Sequence, residues 1–123
     1  MGDMPYQTLL VWRESFRLTK EIYKLTEQFT SRERFEIVSQ MRRAAVSIPS
    51  NIAEGYRRRH AKEILHYCQI AFGSASELEV QLMLSKDLGL ANKDNFIESE
   101  RALQSTLKLL NLFCKSLTRQ IPK

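Results

Sequence analysis

Residues able to do acid–base, nucleophilic or metal chemistry are few in this chain: 2 histidines, 2 cysteines and 14 carboxylates in 123 residues. Glu63 and His66 form one Glu-x-x-His turn, the unit that builds di-iron sites in helical bundles. Such a site needs a second copy of the motif and two more inward glutamates, and His66 falls on the outer side of its helix at 100° per residue. Cys68 and Cys114 have no CxxC or Cys/His spacing around them, so they point neither to zinc nor to a disulfide framework and read as reduced thiols. A glycine-flanked serine elbow and a phosphate-cradling glycine loop are absent, and Glu77 and Glu79 do not face each other on a helix. The sequence therefore names no catalytic residue, no metal ligand and no cofactor, and the expectation is a protein that is not an enzyme.

Binding chemistry is better represented. Lys plus Arg total 19 against 14 acids, and the excess lies in residues 1–60. Such a balance suits an anionic partner such as nucleic acid, and suits plain solubility as well. Arg13, Arg17, Lys20 and Lys24 fall within about 60° of one another on a helix, forming a basic ridge. Trp12, Phe16 and Tyr23 lie on one shoulder of it, suited to stacking or assembly, and Glu14 and Glu21 on the other. The ridge fits phosphate contacts or, in preference, an ordinary solvated face beside a widened core stripe. Arg57, Arg58, Arg59 and Lys62, with His60 among them, form the densest basic run. They could bind phosphates bidentately or neutralise the carbonyl end of the preceding helix.

Ser47–Gly55 breaks helix rules between those arginines. Pro49 removes a backbone donor and crowds the carbonyl at Ala45, a cost of about 3 kcal/mol in an unadapted helix. Arg43, Ser47, Asn51 and Glu54, spaced four, four and three, run down one side of this segment. They read as an outer polar face or, in preference, as a partly buried structural seam between helices or subunits, with Ser47 and Asn51 satisfying groups the proline disturbs.

The elements that hold these residues follow from apolar spacing. Val11, Ser15, Leu18, Ile22, Leu25 and Phe29 predict a first helix from Leu9 to about Gln28, with Thr8 as N-cap. Thr30 and Glu33 form a capping box for a second, from about Ser31 to Tyr56, with Val38, Met41, Ala45, Ile48, Ile52 and Tyr56 inward. Ile64, Tyr67, Ala71, Leu78 and Leu82 place a third between about Ala61 and Leu88, and the small Gly73, Ser74 and Ala75 suggest a close helix approach. Gly89 ends it, and Phe96, Leu103, Leu110, Phe113 and Leu117 form the fourth stripe, from an Asn92 cap to Ile121-Pro122. The fold class is all-α: one domain over residues 1–123, an antiparallel up-down-up-down four-helix bundle with helix two kinked at Pro49. With no signal-like N-terminus and no run of 18 apolar residues, a cytoplasmic protein without a membrane partner is expected.

Leu10-Val11-Trp12, Ile22–Thr26, the run from Gln40 to Gly55 and Ala71–Glu79 resemble the four-helix bundle protein family, over almost the whole chain. Its members include proteins encoded in intervening sequences of bacterial 23S rRNA genes. The resemblance implies a bacterial cytoplasmic bundle, a ring-shaped homopentamer and no catalytic activity. It also implies a likeness to the accessory protein of diversity-generating retroelements, a basic pentamer that associates with nucleic acid. His60 departs from the hydroxyl cap common in the family at the start of helix three. The expected function is a non-catalytic homo-oligomer contacting structured RNA or DNA through its basic surfaces. The alternative is a protein-interaction scaffold, with Trp12, Phe16 and Tyr23 reserved for assembly or docking.

Overall fold

The structure, a computed structural model, describes residues 4–30 and 34–122. Among these, a short 3-10 turn (Tyr6–Thr8) precedes α1 (Leu10–Glu27), α2 (Arg34–Tyr56), α3 (Ala61–Asp87) and α4 (Ile97–Gln120), the last entered through a 3-10 turn at Lys93–Phe96. The architecture is an all-α four-helix bundle. Each helix packs on two others, α1 and α3 both lying against α2 and α4. Hydrogen bonds fix the register. Thr19 meets Ala45 and Thr26 meets Arg42 across α1 and α2, while Ser47 meets Ser74 and Met41 meets Ser85 across α2 and α3. Across α3 and α4, Cys68 reaches Leu110 and Lys86 reaches Glu100. Partner numbers fall on one helix as they rise on the other, so the neighbours in each of these pairs run in opposite senses.

The inward stripes are continuous. Val11, Ser15, Leu18, Ile22, Leu25 and Phe29 are all buried, as are Met41, Ala45, Ile48 and Ile52, with Val38 and Tyr56 half-buried at the ends of the same stripe. A period of 3.6 residues puts such positions on one face, and burying each large aliphatic contributes about 1.5–3 kcal/mol. α2 runs unbroken through Pro49. The Ala45 carbonyl, which Pro49 cannot serve, accepts the Thr19 hydroxyl at 3.0 Å, and that hydroxyl also lies 2.9 Å from the Ser15 carbonyl. The partner to the proline therefore comes from the neighbouring helix, not from Ser47 or Asn51.

Two local expectations change. Thr8 lies in the 3-10 turn with its hydroxyl on the Pro5 carbonyl (2.7 Å), and Leu9 takes the N-cap position without a side-chain bond. Gly73 has open space where a Cβ would stand, because it faces outward. The close approach is at Gly55, whose Cβ would lie 2.6 Å from the Tyr67 Cβ. The Thr30/Glu33 capping box lies outside the described residues at Glu33. α3 ends as expected on Gly89 (φ +67°), with Gly89 N donating to the Lys86 carbonyl and Leu90 N to that of Ser85 in the Schellman pattern.

Candidate nucleic-acid interface

The opposed helix senses bring the start of α1, the α2–α3 turn and the end of α4 to one end of the bundle. Within two turns of that end lie Arg13, Arg57, Arg58, Arg59, Lys62, Lys115 and Arg119, against Glu14, Glu54 and Glu63. At the opposite end Glu21, Glu27, Glu36, Asp87, Asp94, Glu98 and Glu100 outnumber the bases. The bundle's charge is polarised along its axis, a feature that no single helix face shows.

Aromatic rings are interleaved with the arginines. The Arg57 guanidinium lies 5.2 Å from the Tyr6 ring, and Tyr6 meets Trp12 edge-on at the same distance. Arg58 donates to Glu54 (2.6 Å) and to the Tyr67 hydroxyl (3.1 Å), and the bond to Glu54 raises its pKa further above the ordinary arginine value. Arg59 takes a left-handed conformation, φ 68°, the only non-glycine positive φ among the described residues. An L side chain is disfavoured there by roughly 1–2 kcal/mol, and strain of this kind tends to collect where a site needs a particular geometry. Arg57 and Arg59 line an open cavity of ≈ 270 Å³ with Tyr6 and Tyr56. All three arginines and Lys62 are exposed.

The α1 ridge is less free than its spacing implies. Arg13 is exposed, but Arg17 is held by Glu14 through its Nε at 3.2 Å, Lys24 lies 3.6 Å from Glu21, and Lys20 sits 5.2 Å over the Phe16 ring. The hydrogen bond to Arg17 keeps the Glu14 carboxyl below its usual pKa, outweighing the effect of burial. Trp12 and Phe16 stack at 4.8 Å, and Tyr23 carries Arg42 over its ring at 4.4 Å. Arg42 also donates to the Thr26 hydroxyl at 2.9 Å, tying α2 to the last turns of α1.

In the seam, Asn51 donates to the Ser47 carbonyl (2.8 Å) and lies 3.0 Å from the Ser47 hydroxyl, which meets the Ser74 hydroxyl of α3 at 2.8 Å. Ser47, Asn51 and Ser74 thus link α2 and α3. Arg43 is exposed beside a cavity shared with Ser47, Ser74 and Glu77, and Glu54 turns to Arg58.

Sequence reasoning missed Lys115 and Arg119 as members of the basic end, and Thr19. It also treated Cys68 and Cys114 as unrelated. They face each other across α3 and α4, where the Cys68 thiol donates to the Leu110 carbonyl (3.8 Å); the neighbouring Cys114 sulfur and burial push Cys68 up, while Cys68 lowers Cys114. Among the described residues no three metal-ligating side chains gather, and no helix is long and apolar enough to cross a membrane.

A family model described as 23S rRNA-intervening sequence protein matches residues 7–112. The chain is also similar to the crystal structure of a protein with unknown function from the S23 ribosomal protein family of Bacteroides thetaiotaomicron VPI-5482. The TM-score is 0.77 at 21% identity, covering 86% of this chain and 96% of that one, which shows a shared fold. No curated protein matches the sequence.

Proposed function

The chain belongs to the 23S rRNA-intervening sequence protein family, and on that premise we propose that it works as a non-catalytic, oligomeric four-helix bundle that binds structured RNA or DNA. The observation that carries this reading is the basic end, where Arg57, Arg58, Arg59 and Lys62 stand with Lys115 and Arg119 among Tyr6, Tyr56 and Tyr67. Guanidinium groups engage phosphates bidentately and flat rings accept unstacked bases, a combination sized for nucleic acid rather than for a small anion. Arg13, Lys20 and the paired Arg17 and Lys24 extend the surface along α1. Repetition of the end around an oligomer multiplies a weak single site through effective concentration. Both families, the 23S rRNA-intervening sequence proteins and the S23 ribosomal proteins, are named for a ribosomal context, which favours RNA as the first ligand to try.

Anisotropy titration of a labelled RNA hairpin and a DNA duplex at low salt tests the reading. The Arg57→Ala/Arg59→Ala variant is expected to bind at least about tenfold more weakly than the wild type. Lys93→Ala/Arg101→Ala, at the other end, is expected to bind unchanged. Absence of binding by the wild type, or equal loss in both variants, would refute it. A protein scaffold is the rival, favoured by the apolar residues that α3 leaves exposed. Affinity capture separates the two, since scaffold partners persist after nuclease treatment.

A further inference from the structure

The apolar residues of α3 extend beyond its buried stripe. The helix also exposes Phe72, Val80 and Met83, which with Ser76 form a row at spacings of four, four and three. Val80 and Met83 are 63% and 64% exposed. A helix hydrophobic on both sides is one that expects cover on both. At 100° per residue Glu79 and Glu77 flank the row on its two sides, Glu79 accepting from Gln104 of α4, and Asp87 prolongs it, so its margins are acidic.

A complementary surface lies elsewhere on the same molecule. α1 and α2 enclose an open groove of ≈ 380 Å³ walled by Tyr6, Trp12, Phe16, Val46, Pro49 and Ala53. Its charged rim is basic on balance: Arg13 and Lys20 on α1 and Arg57 at the end of α2, against Glu54, which turns to Arg58. Phe16 is 44% exposed and Val46 41%. The α2 wall of the groove from Val46 to Arg57 and the row from Phe72 to Met83 both span 11 residues, about 16 Å at 1.5 Å per residue. α3 packs on α2 and α4 with its row turned outward, so a chain does not fill its own groove.

We infer that the α3 row Phe72-Ser76-Val80-Met83 of one copy seats in the α1/α2 aromatic groove of a second copy, acidic margins against basic ones. The inference rests on the oligomeric part of the function proposed above, and supplies the two surfaces that meet. The contact is heterologous: the surface each copy gives differs from the one it receives, so repetition closes a ring or grows a chain, and a symmetric dimer does not satisfy it.

Complementation of two variants tests it, by light scattering after gel filtration without nucleic acid. Wild type is expected to assemble, while Val80→Asp/Met83→Asp (row spoiled, groove intact) and Phe16→Asp (groove spoiled, row intact) are each expected to be helical monomers by circular dichroism. Mixed in equal amounts they retain one good row and one good groove, and the expected product is a 1:1 dimer that grows no further. If either variant loses helicity, Val80→Ser/Met83→Ser or Phe16→Ser replaces it. A monomeric wild type, variants that still assemble, or a mixture that stays monomeric would overturn the inference. Both variants keep Arg57 and Arg59, so their binding to the RNA hairpin is read separately and a failure of assembly is not confused with a failure of nucleic-acid binding.

Discussion

Pro49 cannot donate to the Ala45 carbonyl, and that oxygen accepts the Thr19 hydroxyl instead. Removing the donor leaves a carbonyl in a half-buried seam without a partner, which typically costs about 1–3 kcal/mol. Thr19→Val is therefore expected to lower stability by that amount in chemical denaturation, and by clearly less in a Pro49→Ala background, where the restored backbone N–H serves Ala45. Equal losses in both backgrounds would disprove the link. Pro49 announced its own problem in the sequence, but Thr19 did not announce the answer: a threonine beside a core stripe gains this meaning only once the α1–α2 register is known. Arg59 invites a test of the opposite sign. Arg59→Gly relieves the left-handed strain and is expected to raise stability by roughly 1 kcal/mol while weakening nucleic-acid affinity. A gain in stability with unchanged affinity would remove Arg59 from the interface.

At the scale of elements, the four inward stripes were legible because helical periodicity depends on sequence alone, and the ends of α1, α2 and α3 fall within a residue or two of the expected positions wherever they are described. Which small residue admits a neighbouring helix was not legible. Gly73 sits among Ser74 and Ala75 and looks the better choice, yet the space is used at Gly55, where α2 meets Tyr67. The two glycines should respond oppositely in thermal melts. Gly55→Ala forces a Cβ against the Tyr67 Cβ and is expected to cost about 1–3 kcal/mol. Gly73→Ala meets nothing and is expected to gain up to about 1 kcal/mol from helix propensity. The outer row of α3 escaped the sequence reading for a related reason: its residues are interleaved with core positions, and only burial separates Ala75 and Leu78 from Val80 and Met83.

The whole molecule carries its charge as an axial gradient, and this changes where nucleic acid is expected to sit. Sequence alone located the Arg57–Arg59 run and the α1 ridge. It did not join the run to Lys115 and Arg119, which are more than 50 residues away along the chain and meet it only because α4 returns to the same end. Nor did it show that Glu14 and Glu21 occupy two of the four ridge cations. The basic end also leaves the α3 row free to lie between copies, while Arg13, Lys20 and Arg57 border both the groove and the nucleic-acid surface, so assembly and ligand binding share these three cations.

The salt dependence of RNA-hairpin affinity tests the central claim most directly. Each phosphate contact releases counterions, so the logarithm of the binding constant should fall linearly with that of salt concentration. The slope for Arg57→Ala/Arg59→Ala should be shallower by about two per bound copy. Binding that ignores salt, or a slope identical in wild type and variant, would contradict the account.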